Sequence, residues 1–376
     1  MKKWYVFIVL LLLAGGASAN DGGFYVNGNQ LIPMNETDIS VKKEILTINR
    51  STKNPQQAEV TVYYEFYNPD AAKTITVGFE ADSPSGDANP TPVNGHQPYI
   101  HHFTVEMNGQ NLPYQVAIVS DSLYYQNGKF RTLTSSQIQD SLDEGGGEYA
   151  DFRYVYHFQA HFKKGLNIIQ HTYTCDFSAS VLSNYEFGYI LSAAMRWGNK
   201  QIDDFTLNIN MGDEQWLSIP KTFFDNADEW TIAGIGKKAN TKDLYYGYDD
   251  SVSCADFYLK KGYLIFQKQN FKPKGELDFS APISIPFSDT FDYKIQTSIS
   301  PEIADLNSGE GIVTMNEISR KILCNIPFAK RGYIFSTPEL QKYFEQQLWY
   351  FPNPAYKPDM AKLNNDEQKW VLYWRK

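Results

Sequence analysis

From about residue 40 to residue 295, apolar and polar side chains alternate in short runs that end at turn residues. A repeat of two is the signature of extended strands with one oily and one wet face. Val60, Val62, Tyr64 and Phe66 alternate with Thr61, Tyr63 and Glu65. Phe205, Leu207, Ile209 and Met211 alternate in the same way with Thr206, Asn208 and Asn210. Strands of this kind must lay their apolar faces against another sheet. The pattern therefore predicts an antiparallel β-sandwich region over residues 20–297, divisible into two subdomains, in a chain that is α+β overall.

Turn chemistry divides the runs. Asn-Gly suits a type I′ hairpin because both central residues take positive φ, and the dipeptide stands at Asn108-Gly109 and Asn127-Gly128 between strand-like runs. The first separates His102–Met107 from Gln110–Val119, and the second separates Leu123–Gln126 from Lys129–Leu133. A third turn is expected at Lys163-Lys164-Gly165. Two stretches, Asp82–Gln97 and Gln137–Asp151, are rich in Gly, Pro, Asn or acidic residues and read as surface loops.

Both ends depart from this pattern. Lys2 and Lys3, the apolar run Trp4–Leu13 and Ala17-Ser18-Ala19 read as a signal peptide cleaved after Ala19. The run is shorter than the roughly 20 apolar residues of a membrane span, and no later run qualifies. The first cysteine is Cys175, so the expectation is an exported protein, periplasmic or extracellular, that is not a lipoprotein. At the other end, residues 298–313 read as a linker, and the periodicity then turns helical. Ile318, Ile322, Leu323, Ile326 and Ala329 recur on one helix face, Pro327 is expected to kink or split that helix, and Gly332 suits its αL cap. Ser336 with Glu339, and Asn364 with Glu367, carry the spacing of capping boxes for two further helices. Helices are expected only in this tail.

The tail resembles the YARHG domain, a short module of exported bacterial proteins. The resemblance rests on Asn325-Ile326-Pro327-Phe328-Ala329-Lys330-Arg331-Gly332-Tyr333-Ile334-Phe335, then Pro338-Glu339-Leu340, Tyr343-Phe344 and Trp349-Tyr350, within residues 314–376. Phe328 stands for the motif tyrosine, Lys330 for its arginine and Arg331 for its histidine. Tyr189-Ile190-Leu191, Arg196-Trp197-Gly198 and Phe205-Thr206-Leu207 are in turn similar to an uncharacterised β-rich family of exported proteins. These resemblances imply location and architecture and carry no catalytic residue onto the chain.

A formal charge of −9, more negative once Lys2 and Lys3 are removed, leaves no basic footprint for nucleic acid. The chain holds no G-x-S-x-G, H-E-x-x-H, phosphate loop or C-x-x-C. His157 and His161 would stand roughly 13 Å apart on one strand, too far to share a metal. The acidic stretch Asp140–Asp151 lacks the residue order of a calcium loop. No metal and no cofactor is expected. Cys175 and Cys254 could pair in an oxidising compartment, with buried thiols as the alternative. Aromatic residues make up 15% of the chain and either fill the sandwich or, where exposed, stack on sugars and anchor partners. The binding candidates are the motif residues Phe328, Lys330, Arg331, Tyr333, Trp349 and Tyr350. The expectation is a non-catalytic envelope protein that binds a wall polymer, a glycan or an envelope protein. The alternatives are a hydrolase of wall or polysaccharide substrates with a carboxylate pair drawn from separate strands, and an adhesion or assembly subunit.

Overall fold

The computed structural model describes residues 22–24, 30–34, 37–120, 124–147, 149–180, 183–242, 253–282 and 317–375. Residues 1–19, expected to be a signal peptide, and residues 298–313, expected to be a linker, lie outside the described residues. The chain runs through β1 (Gly22–Phe24), β2 (Gln30–Pro33), β3 (Ser40–Arg50), β4 (Gln57–Asn68), β5 (Lys73–Asp82), β6 (Ser85–Gly86), β7 (Ile100–Met107), β8 (Gln110–Asn111) and β9 (Gln115–Val119). There follow β10 (Tyr125–Gln126), β11 (Lys129–Phe130), helix α1 (Ser135–Glu144), β12 (Arg153–Phe162), β13 (Gly165–Asp176), β14 (Ala179–Ser180) and β15 (Ser183–Tyr189). Next come β16 (Ile202–Asn210), β17 (Gln215–Pro220), β18 (Trp230–Lys242), β19 (Ser253–Phe271) and β20 (Leu277–Pro282), then helices α2 (Glu317–Ala329), α3 (Pro338–Glu345) and α4 (Asn365–Trp374).

The molecule is mostly β with a small helical C-terminal unit. A large sheet has the order β15-β20-β17-β19-β16-β3-β4-β13-β7-β8, with β18 paired along β19. Its pairings are antiparallel except for β16 with β3. A four-stranded sheet, β2-β5-β12-β9, faces β4, β13 and β7. Aromatic rings close the gap: Phe79 lies 5.1 Å from both Phe103 and Tyr173, and Phe66 lies 5.7 Å edge-on from Phe162. The alternation in the sequence is the alternation of faces, since Val60, Val62, Tyr64, Phe66, Phe205, Leu207, Ile209 and Met211 are all buried while Thr61, Tyr63 and Glu65 are half-exposed. One apolar cluster runs from Ile39 through both sheets to Ala281.

The strand β19 belongs to two neighbourhoods. Its residues Leu264–Phe271 pair with β16 and its residues Cys254–Leu259 pair with β17, while β18 accompanies both halves. Where the partner changes, Gly234 stands opposite Gly262 and the register shifts between Ile235 and Gly236. A buried histidine lies at the centre of the sandwich. His171 is fully enclosed among Tyr64, Phe79, Phe103 and Tyr173, and neither ring nitrogen has a hydrogen-bond partner.

Both Asn-Gly turns form hairpins, with all four residues at positive φ. Several expectations need correction. Gln110–Val119 is two strands, because after β8 the chain leaves the large sheet and β9 joins the small one. The turn at Lys163-Lys164-Gly165 forms where expected, and it links strands of different sheets, since β12 pairs with β5 and β9 while β13 pairs with β4 and β7. Most of Gln137–Asp151 is helix rather than loop. Thr134 and Gln137 form a reciprocal capping box at the start of α1, and Ile138 and Leu142, one turn apart, pack on the core. Helices are thus not confined to the tail. Asp82–Gln97 is irregular but partly enclosed: Gln97 is buried and its N–H donates to the Tyr156 hydroxyl at 3.2 Å. The three cysteines are thiols, with Cys175 and Cys254 buried.

Candidate functional site

A constellation of four charged side chains forms on the outer face of the small sheet. Alternation along β5 puts Thr76, Gly78, Glu80 and Asp82 on that face, and the register sets Asp82 opposite Arg153 and Glu80 opposite Val155. Part of the face is covered by a third layer from residues 124–134. There Phe130 stacks on His157 with ring centres 4.0 Å apart, the Tyr125 hydroxyl donates to Thr76 Oγ1 at 3.0 Å, and Tyr124 packs with Ala117, Val119 and Val155. The Tyr124 hydroxyl donates to Glu80 Oε1.

A second arginine arrives from the 3₁₀ turn Ser192–Arg196. Two residues anchor that turn. Trp197 is buried with its ring 4.3 Å from Phe66. Gly198 donates its N–H to the Ile39 carbonyl at 2.8 Å, and a Cβ there would lie 2.7 Å from the Asp38 backbone. Arg196 Nη1 consequently stands 3.7 Å from Glu80 Oε1. Arg153 Nη1 is 3.8 Å from Glu80 Oε2, and its Nη2 is 3.8 Å from Asp82 Oδ1.

These gaps exceed the 2.7–3.2 Å or so of an N–H···O hydrogen bond. The four charges are therefore close enough to hold one another in place and too far apart to saturate one another's donors and acceptors. The side chain of Glu80 is only 15% exposed, whereas those of Arg153 and Arg196 are 39% and 55% exposed. Burial raises the carboxyl pKa of Glu80 above its ordinary value, with Arg196 and Arg153 pulling the other way. Burial raises Asp82 as well, again opposed by Arg153. With two carboxylates and two guanidiniums, the cluster carries no net charge when all four are ionised. It offers guanidinium N–H donors and a carboxylate acceptor edge side by side at the surface.

In the helical unit, α2 ends at Ala329, and Gly332 takes a φ of +82° as the cap requires. Pro327 sits in the last turn without splitting the helix. Arg331 reaches back to the Pro327 carbonyl at 2.7 Å and grips Glu367 through two contacts of 2.9 and 2.8 Å. Glu367 also closes the capping box with Asn364 at the start of α4. The expected box at Ser336 does not form: Thr337 is the N-cap of α3, it makes no side-chain cap bond, and Pro338 occupies the first turn.

Residues 314–376 match the YARHG domain family. The C-terminal unit is a YARHG domain. No curated protein matches the chain by sequence. Among solved structures, a Legionella pneumophila protein described provisionally as a nutrient binding protein is 18% identical with a TM-score of 0.48, over 94% of this chain and 99% of that one. An M1 zinc metallopeptidase from Deinococcus radiodurans matches 66% of this chain and 43% of its own at 8% identity and a TM-score of 0.25. Yeast LTA4 hydrolase matches 66% of this chain and 29% of its own at 9% identity and a TM-score of 0.26. All three scores lie below 0.5, so a functional reading must rest on this chain's own residues.

The YARHG domain is docked on the β region. Tyr258 of β19 lies in the domain's apolar cluster with Trp216 of β17 packed against it. The Lys237 ammonium donates to the carbonyls of Gln347 and Tyr350 at 3.3 and 2.6 Å, and Lys237 and Lys260 both lie over the Phe351 ring. Of the six motif candidates, Phe328, Trp349 and Tyr350 are buried in the domain's core, and the Tyr350 hydroxyl donates to the Tyr333 carbonyl at 2.8 Å. Lys330, Arg331 and Tyr333 are half-exposed around the end of α2, and none of the six lies in the Glu80 cluster. Sequence reading missed that cluster because its members are contributed by separate segments. The available signal was Glu80-x-Asp82, two carboxylates two residues apart on one face of β5.

Proposed function

We propose that this protein is an exported, non-catalytic binding protein of the bacterial envelope, which takes a wall polymer, a glycan or an envelope protein at the Glu80–Asp82–Arg153–Arg196 cluster. The observation that supports this reading is the set of 3.7–3.8 Å gaps, which leave charged donors and acceptors converging at the surface with capacity to spare. The placement of Arg153 disfavours the hydrolase reading. Carboxylate-pair hydrolysis needs the two acids on opposite sides of a scissile bond, and here Arg153 stands between Glu80 and Asp82. Export is supported by the leader-like start and the YARHG domain. Among the described residues, no helix is long and apolar enough to cross a membrane.

The test is a thermal-shift screen of the mature chain against solubilised envelope fractions, repeated with R153Q and E80Q. Stabilisation by a fraction that is weakened in both variants supports the proposal. Enzymatic breakdown of a stabilising component, abolished in E80Q, overturns it in favour of the hydrolase.

A further inference from the structure

The same cluster narrows the chemical class of its ligand, an inference that rests on the binding reading above. A full anion approaching Arg153 or Arg196 meets the opposing field of Glu80 and Asp82, and a cation meets the guanidiniums; both pay for desolvating charge that is already balanced. A neutral group that donates and accepts at once meets no such conflict. A hydroxyl can give its proton to a carboxylate oxygen while taking one from a guanidinium N–H, and two adjacent hydroxyls can do so across neighbouring groups.

The local geometry has the matching form. Asp82 and Arg153 are cross-strand partners, so their side chains emerge next to each other from the same face. Arg153 Nη2 and Asp82 Oδ1 are separated by 3.8 Å, too wide to bond directly and suited to a hydroxyl lying alongside both. Both side chains are about two-fifths exposed, so the pair is open to solvent. Glu80 lies behind them, held by the Tyr124 hydroxyl, and Arg196 completes the far side. We infer that the cluster binds a neutral saccharide, with a vicinal diol bridging the Asp82 carboxylate and the Arg153 guanidinium and Arg196 taking a further hydroxyl.

The experiment uses the full mature chain on an array of neutral oligosaccharides, their uronic-acid counterparts and free amino acids. D82N is nearly isosteric with the native residue and R153K keeps the charge, so both report on hydrogen-bond geometry; far-UV circular dichroism confirms that they fold. Retention of neutral saccharides, weakened about tenfold or more in D82N and R153K, is expected from loss of one charge-assisted hydrogen bond. Retention confined to acidic sugars or amino acids and lost in the variants overturns the saccharide class while leaving the binding reading in place. Saccharide retention equal in wild type and variants places the sugar elsewhere and overturns the inference. No retention of any probe, together with no stabilisation in the envelope screen, overturns both.

Discussion

The indole N–H of Trp370 donates to the carbonyl of Leu323 at 2.7 Å inside the YARHG domain. In an unbroken α-helix that carbonyl would accept from the residue four positions on, which here is Pro327 and has no N–H. The tryptophan on α4 thus supplies the bond that the proline on α2 cannot, which explains how Pro327 sits within the helix without splitting it.

Trp370→Phe should therefore cost about 2–4 kcal/mol in denaturant unfolding, combining the stranded carbonyl with some lost packing. Pro327→Ala restores an N–H on α2 itself. In that background the Trp370→Phe penalty should shrink by about 1 kcal/mol or more. Equal penalties in both backgrounds would show that the two residues are not coupled in this way.

Arg331 and Glu367 join the end of α2 to the start of α4. The Glu367 side chain is 7% exposed and that of Arg331 is 31% exposed. Arg331→Ala leaves a buried carboxylate without its main partner, at a cost of about 2–3 kcal/mol after allowance for solvent around the arginine. Glu367→Gln combined with Arg331→Ala should cost less than the sum of the single changes, as a double-mutant unfolding cycle would reveal.

Burial lowers the His171 pKa to about 3. The unfolded chain binds this proton more readily, near pH 6.5. The group's contribution is complete above that value and is lost as pH falls toward 3, up to on the order of 4 kcal/mol. Asp278, raised to about 6 by burial and then by Glu276 and Glu186, acts in the opposite direction: its penalty grows as pH rises from the ordinary aspartate value toward 6. Comparing wild type with His171→Leu isolates the histidine. The variant should lose less stability between pH 6.5 and pH 4.5, measured by urea unfolding at each pH. Parallel pH curves would contradict this assignment.

Lys237 ties the YARHG domain to β18, and burial lowers its pKa. Lys237→Met keeps much of the aliphatic stem over Phe351 but removes both donated bonds. Domain docking should weaken by about 1–3 kcal/mol, read as an earlier change in the emission of Trp349 and Trp216 ahead of the main unfolding step. A single unshifted transition would show that the lysine does not hold the domain.

Much of the fold was legible because the features that determine it are local. Strand faces follow from alternation at Val60–Phe66 and Phe205–Met211, hairpins from the two Asn-Gly pairs, and the start of α4 from Asn364 and Glu367. The α1 box at Thr134 and Gln137 was equally visible, but the acidic and glycine-rich composition around it masked it. Sheet membership was not legible: nothing within Lys163-Lys164-Gly165 tells a hairpin from a passage between sheets, because that depends on which distant strands compete for each edge. The Glu80 cluster was hidden for the same reason, since Arg153 and Arg196 reach Glu80 only after β12 pairs with β5 and Trp197 finds its place beside Phe66.

The decisive measurement is an equilibrium titration of the protein lacking residues 1–19 with a neutral oligosaccharide retained on the array, followed by mass analysis of the sugar after prolonged incubation. Saturable binding, weakened in Arg153→Gln, is expected, with the sugar recovered intact. Binding indifferent to Arg153→Gln, or recovery of cleaved sugar that depends on Glu80, would contradict it.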